Sequence, residues 1–90
     1  MAHTSEKELL YKLNEAKKLI VIGGKYKHYS SEELTYTVID IAIQEATENI
    51  CVIYQPEYFT NKVLWVRDLE KFIEEIEIDD KKISRFTLLS

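Results

Sequence analysis

The chain has 90 residues, a 46% hydrophobic and 31% charged composition and a formal net charge of −4, which bounds it to one domain with a single modest core and excludes a disordered or fibrous chain. The acidic balance disfavours nucleic acid and anionic membrane surfaces as partners. A single cysteine, Cys51, excludes an internal disulfide, no stretch is long enough to cross a membrane, and the run Leu19-Ile20-Val21-Ile22 is too short for a signal peptide, so a cytoplasmic setting is expected.

In chain order, the first element is a helix from Ser5 to about Leu19. Ser5 and Glu8 have capping-box spacing, and Leu9, Leu13, Ala16 and Ile20 recur at intervals of three or four to form one apolar stripe. Gly23-Gly24 breaks that periodicity and permits a change of direction. Short segments rich in Thr, Tyr, Val and Ile follow: Lys25 to Tyr29, Tyr36 to Ile43, Ile50 to Tyr54 and Val63 to Val66. Polar connections at Ser30–Leu34 and Glu45–Asn49 separate them, and Pro56 interrupts before Tyr58. Asp68 to Glu74 has room for a helical turn, and Glu75–Ile78 with Ile83–Phe86 forms a last hairpin around Asp79–Lys82. One helix and five or six short strands predict a mostly β chain folded as a small barrel or curled sheet, divided into a helical lead-in over 1–22 and a β domain over 23–90.

Side chains alternate faces along a strand, so each segment divides into two sets. In Val63 to Arg67 the aliphatic pair Leu64 and Val66 is the expected interior set, which puts Trp65 and Arg67 together on the other face. An indole beside a guanidinium can stack with it, or the pair can clamp a planar or anionic ligand. Tyr26 and His28 share one face of the first strand by the same spacing. In the second, Thr37, Ile39, Ile41 and Ile43 form the expected interior set, leaving Tyr36, Val38, Asp40 and Ala42 outside. In the third, the pattern does not choose between Ile50, Val52 and Tyr54 and the set Cys51, Ile53 and Gln55.

The aromatic set Tyr26, Tyr36, Tyr54, Tyr58 and Trp65 has two readings, a recognition surface of flat rings or an outer layer of the core. His28 is a candidate base or metal ligand. Only His3 accompanies it, however, and no tetrahedral set of Cys and His can be assembled, so no metal and no cofactor is expected. Cys51 between Ile50 and Val52 reads as a packing group rather than a nucleophile. Ile22-Gly23-Gly24-Lys25 lacks the spacing and the following Ser or Thr of a phosphate loop. Glu70, Glu74, Glu75 and Glu77 near Phe72 read as a solvated face.

Gly24-Lys25-Tyr26-Lys27-His28-Tyr29, Tyr36-Thr37-Val38, Ala42 with Glu45 and Thr47, Val52-Ile53-Tyr54-Gln55, and Leu64-Trp65-Val66-Arg67-Asp68-Leu69-Glu70-Lys71-Phe72 follow one another in an order and spacing that resembles the small bacterial family catalogued as domain of unknown function 1653. The resemblance runs from Gly24 to about Phe86, with Asp68 standing where the family pattern has proline. It implies a small SH3-like β-barrel and implies no activity, cofactor or substrate.

The expected function is that of a binding module. Tyr26, His28, Tyr54, Trp65 and Arg67 form its candidate ligand face, and the partner is a protein, a peptide, a small polar ligand or, against the net charge, a nucleic acid. One alternative is an assembly role in which the N-terminal helix packs on a second copy or another protein. The other is a small enzyme in which His28, Asp40, Glu45 and Arg67 meet in a cleft.

Overall fold

The computed structural model describes residues 4–90, so His3 lies outside the described residues. The first element is α1 (Glu6–Ala16), with Ser5 as its N-cap: the Ser5 hydroxyl accepts the Glu8 amide at 3.3 Å. Beyond Ala16 the chain continues in a turn, with Leu19 and Ile20 both donating to the Ala16 carbonyl. Of the apolar stripe, Ala16 and Ile20 are buried, and Leu13 packs against the same core from a partly buried position. The stripe is therefore used within the chain, against β2 and β3 of the sheet described below.

Gly23 takes a positive φ of 84°, and at Gly24 a Cβ would lie 2.9 Å from the Val21 carbonyl oxygen and 3.0 Å from Leu88 Cδ1. The pair turns the chain into the sheet at a point with no room for a side chain at the second position.

Seven strands follow: β1 (Lys25–His28), β2 (Thr35–Gln44), β3 (Asn49–Pro56), β4 (Trp65–Asp68), β5 (Glu75–Ile78), β6 (Lys81–Ser84) and β7 (Phe86–Leu88), with the short helix α2 (Leu69–Phe72) between β4 and β5. The mostly β class expected from the sequence is what the chain adopts. One antiparallel sheet has the order β4-β3-β2-β1-β7, and β5-β6 forms a separate hairpin. Asp79 and Asp80, both at positive φ, make the two-residue turn of that hairpin. The expected last strand divides at Arg85, and β7 leaves the hairpin to pair with β1, which raises the strand number to seven.

The five-stranded sheet curls without closing into a barrel: its edges, β4 and β7, are not hydrogen-bonded to each other. Aromatic side chains occupy the concave side. Phe72 from α2 stacks on Phe86 with ring centroids 4.2 Å apart, and it meets the edges of Tyr26 and Tyr54 at 5.3 Å each. Tyr36, Val38, Ile41, Val52, Ala16 and Ile20 complete the core.

Three face assignments are settled or corrected. In β2 the interior set changes partway along the strand. Tyr36 and Val38 face the core before an irregularity in the register between Val38 and Asp40, and Ile41 faces it afterwards, leaving Ile39 41% exposed. A β-bulge inserts an extra residue and so inverts the alternation, which a fixed two-residue period cannot anticipate. In β3 the inner set is Val52 and Tyr54, with Ile50 packed against it, although Cys51 is buried as well. In β4 the expected orientation is reversed. Trp65 pairs with Tyr54 and Arg67 with Val52, two buried residues, so Trp65 and Arg67 share the concave face. Leu64 and Val66 are exposed, Val66 at 63%. As an edge strand, β4 is lined up by its partner's register and not by the burial of its own aliphatic residues.

Candidate functional site

Where the sheet fails to close, a concavity of 340 Å³ opens between β4 and β7. Tyr36 and Tyr54 form its floor, each edge-on to Phe86 at 5.6 Å and to one another at 5.2 Å. His28, Tyr58, Trp65 and Arg67 line it as well, with Leu34 at its side. Trp65 is 43% exposed and meets Phe59 at 6.2 Å between ring centroids. It is therefore an open wall of the concavity rather than a seat for α1.

Four of the five residues expected at a ligand face, His28, Tyr54, Trp65 and Arg67, are thus brought together. Tyr26 is not. Its ring is buried against Phe72, and its hydroxyl accepts the Val21 amide at 3.0 Å, tying the lead-out of α1 to β1. Tyr26 does share the inner face of β1 with His28, but it belongs to the core.

The polar groups of the concavity are arranged as donors. Arg67 Nε donates to the Tyr54 hydroxyl at 3.1 Å, and its Cζ lies 5.4 Å from the centre of the Phe86 ring. Aromatic and phenolic contacts thus fix the guanidinium, and among the described residues Arg67 has no carboxylate partner. Other cations near the sheet do have one: Lys25 pairs with Glu57, Lys27 with Glu32, and Arg85 with Glu74. The Tyr54 oxygen accepts from Arg67 and so keeps its own proton for donation elsewhere. Tyr36 and Tyr58 share a hydrogen bond at 3.0 Å, which leaves one phenolic proton between them uncommitted. Burial, followed by the bond to Tyr58, pushes the Tyr36 phenol far above its ordinary pKa, so it stays neutral.

His28 Nδ1 accepts the Ser30 amide at 3.2 Å and lies 2.7 Å from the Ser30 hydroxyl. A backbone N–H can only donate, so Nδ1 is an acceptor and the neutral ring carries its proton on Nε2. Burial first, and the charges of Arg67 and Arg85 next, lower the pKa of the imidazole. Among the described residues Arg67 is therefore the one formal charge lining the concavity at neutral pH.

The residues of the enzymatic alternative do not converge. Asp40 is exposed beside the bulge, with its carboxylate accepting the Ile41 amide at 2.8 Å, and Glu45 lies beyond β2 near Leu9 and Ile43. Cys51 is buried and donates to Asp68 Oδ1 at 3.5 Å; burial and then Asp68 raise its thiol pKa, and it does not line the concavity. Among the described residues no three His, Cys, Asp or Glu side chains are placed to hold a metal ion, and no helix is long and apolar enough to cross a membrane.

Phe86, Leu34 and Val66 are the lining residues that sequence reasoning missed, Val66 having been expected in the interior. Phe86 stands opposite His28 in the β1–β7 register. No local signal marks that pairing, because the two strands lie at opposite ends of the domain's sequence.

Fold and site together define a small, mostly β domain built on one open, curled sheet, with an aromatic concavity and a lone arginine at the open seam. The profile described as "Protein of unknown function (DUF1653)" matches residues 24–88, and the chain belongs to that family. The fold is similar to that of the crystal structure of a DUF1653 protein from Bordetella bronchiseptica, with a TM-score of 0.64 and 22% identity over 74% of this chain and 85% of that one. No curated protein matches the chain.

Proposed function

We propose that the domain is a non-catalytic binding module that takes a small polar ligand or a peptide end into the concavity between β4 and β7. The observation that carries this reading is Arg67. A guanidinium held against Tyr54 and Phe86, on a half-buried site without a carboxylate partner among the described residues, supplies a charge and several donors that the fold does not use. The commitment of the His28 acceptor nitrogen to Ser30 and the absence of Asp40, Glu45 and Cys51 from the concavity favour binding over acid, base or nucleophilic chemistry.

The test is nuclear magnetic resonance shift mapping with a panel of small polar fragments and short peptides on the full chain. Perturbations should cluster at His28, Tyr58, Trp65 and Arg67. They should disappear in Trp65→Ala and Arg67→Met variants that keep a dispersed amide spectrum. If both variants unfold, the two residues hold the fold together and the reading fails. Shifts scattered over α1 or the β5–β6 hairpin would sink it equally.

A further inference from the structure

We infer that the ligand accommodated by this concavity is a small monoanionic carboxylate carried on a planar aromatic ring. The inference rests on the binding role proposed above and concerns the ligand's charge and shape. Each polar side chain of the lining offers a donor. Arg67 has only donors, and its Nη groups have no partner among the described residues. The Tyr54 oxygen already accepts from Arg67, His28 Nδ1 is taken by Ser30, and the Tyr36–Tyr58 pair keeps one free proton. Trp65 Nε1 can only donate. Among the described residues no carboxylate and no amide side chain lines the space, so a ligand rich in acceptors fits it and a cation does not.

The count of charges narrows the choice among anions. Among the described residues Arg67 is the one cation of the lining, and the neighbouring Arg85 is already paired with Glu74 at 3.0 Å. A single guanidinium with its Nε engaged presents an Nη pair that matches the two oxygens of a carboxylate and balances one negative charge. A dianionic phosphate would be left half neutralised. The rings of Tyr58 and Trp65, both in edge contact with Phe59, give an aromatic group an edge and a face to pack on beside that charge. The volume of 340 Å³ lies at the small end for ligand sites and suits a free molecule better than a length of peptide.

The experiment titrates the full chain at pH 7.5 with benzoate, benzamide, benzylamine, phenyl phosphate and N-acetylphenylalanine, and follows the amide and indole resonances. Benzoate should perturb Trp65 and Arg67 and bind roughly tenfold more tightly than benzamide, the expected gain from one charge-assisted contact. Benzylamine should not bind there. Raising the salt concentration should weaken benzoate and leave benzamide unchanged, a readout that needs no variant. In Arg67→Met the preference for benzoate over benzamide should vanish, and in Arg67→Lys it should survive at reduced affinity.

Equal binding of benzamide and benzoate at these residues would overturn the inference while leaving the binding role intact. Tighter binding of phenyl phosphate would overturn the choice of a carboxylate, and tighter binding of N-acetylphenylalanine the choice of a free small acid over a peptide terminus. Failure of all five to perturb the concavity would overturn the inference alone if other fragments bind there, and both readings if none does.

Discussion

Arg67 reaches from the edge strand β4 across to Tyr54 on β3, its Nε 3.1 Å from the phenol oxygen, while its Cζ lies 5.4 Å from the centre of Phe86 on β7. One side chain thus spans the seam that the backbone leaves open. Tyr54→Phe keeps the buried ring and removes the acceptor, so it should cost about 1 kcal/mol of stability. Arg67→Ala should cost about 1–2 kcal/mol, because the stem and the cation–π contact are lost along with the bond. The two losses should not add. A double-mutant cycle in urea should give a favourable coupling of about 0.5–1.5 kcal/mol, and a coupling of zero would mean that the bond contributes nothing in solution.

The strand-rich class, the order of the elements and the pairing of Trp65 with Arg67 on one face were all legible in the sequence, because each depends on local composition or on a two-residue period. Which face turns inward was not legible at two places. At Ile39 an extra residue inverts the alternation, and in β4 the register with Val52 and Tyr54 decides orientation against the hydropathy of Leu64 and Val66. The concavity needed still less local information. It exists because β7 pairs with β1 and leaves β4 unpaired on its outer side, a long-range arrangement that sets Phe86 beside His28 and Arg67.

The bulge gives a direct contrast within β2. Val38 is fully buried and Ile39 is 41% exposed, although isoleucine is the larger and more apolar of the two. Val38→Ala should therefore cost about 2 kcal/mol through lost burial and the cavity it leaves. Ile39→Thr should stay within about 0.5 kcal/mol of the parent. Urea midpoints of the two variants would check this, and the reverse order would restore regular alternation through the strand.

Ile20 lies just past α1 and is 4% exposed, in the same core cluster as Tyr26 and Phe86. Ile20→Ala should cost about 2–4 kcal/mol. A chain starting at Gly23 should lose more, since it uncovers Tyr26 and removes the amide of Val21 that the Tyr26 hydroxyl accepts. Thermal unfolding would measure both effects. A truncated chain as stable as the full one would mean that the apolar stripe of the helix is available for another molecule, and sedimentation of the full chain would then show self-association.

His28 links the site to pH. Burial, then Arg67 and Arg85, hold its pKa below the ordinary value of about 6.5, so the unfolded chain takes up the proton first as the pH falls. Above pH ~6.5 both states are neutral at this position and the group adds no pH dependence. From about 6.5 down to the lowered folded value stability is progressively lost, and below that value the loss is complete. Urea midpoints should fall as the pH drops through that window, and His28→Gln should remove this component. A carboxylate bound beside Arg67 would favour the imidazolium and move the His28 pKa upward. The imidazole proton resonances of His28, followed with and without benzoate, measure both effects. A pKa in the free protein above the ordinary value would contradict the buried, arginine-flanked position of the ring. A benzoate-induced shift downward would contradict an anion bound beside it.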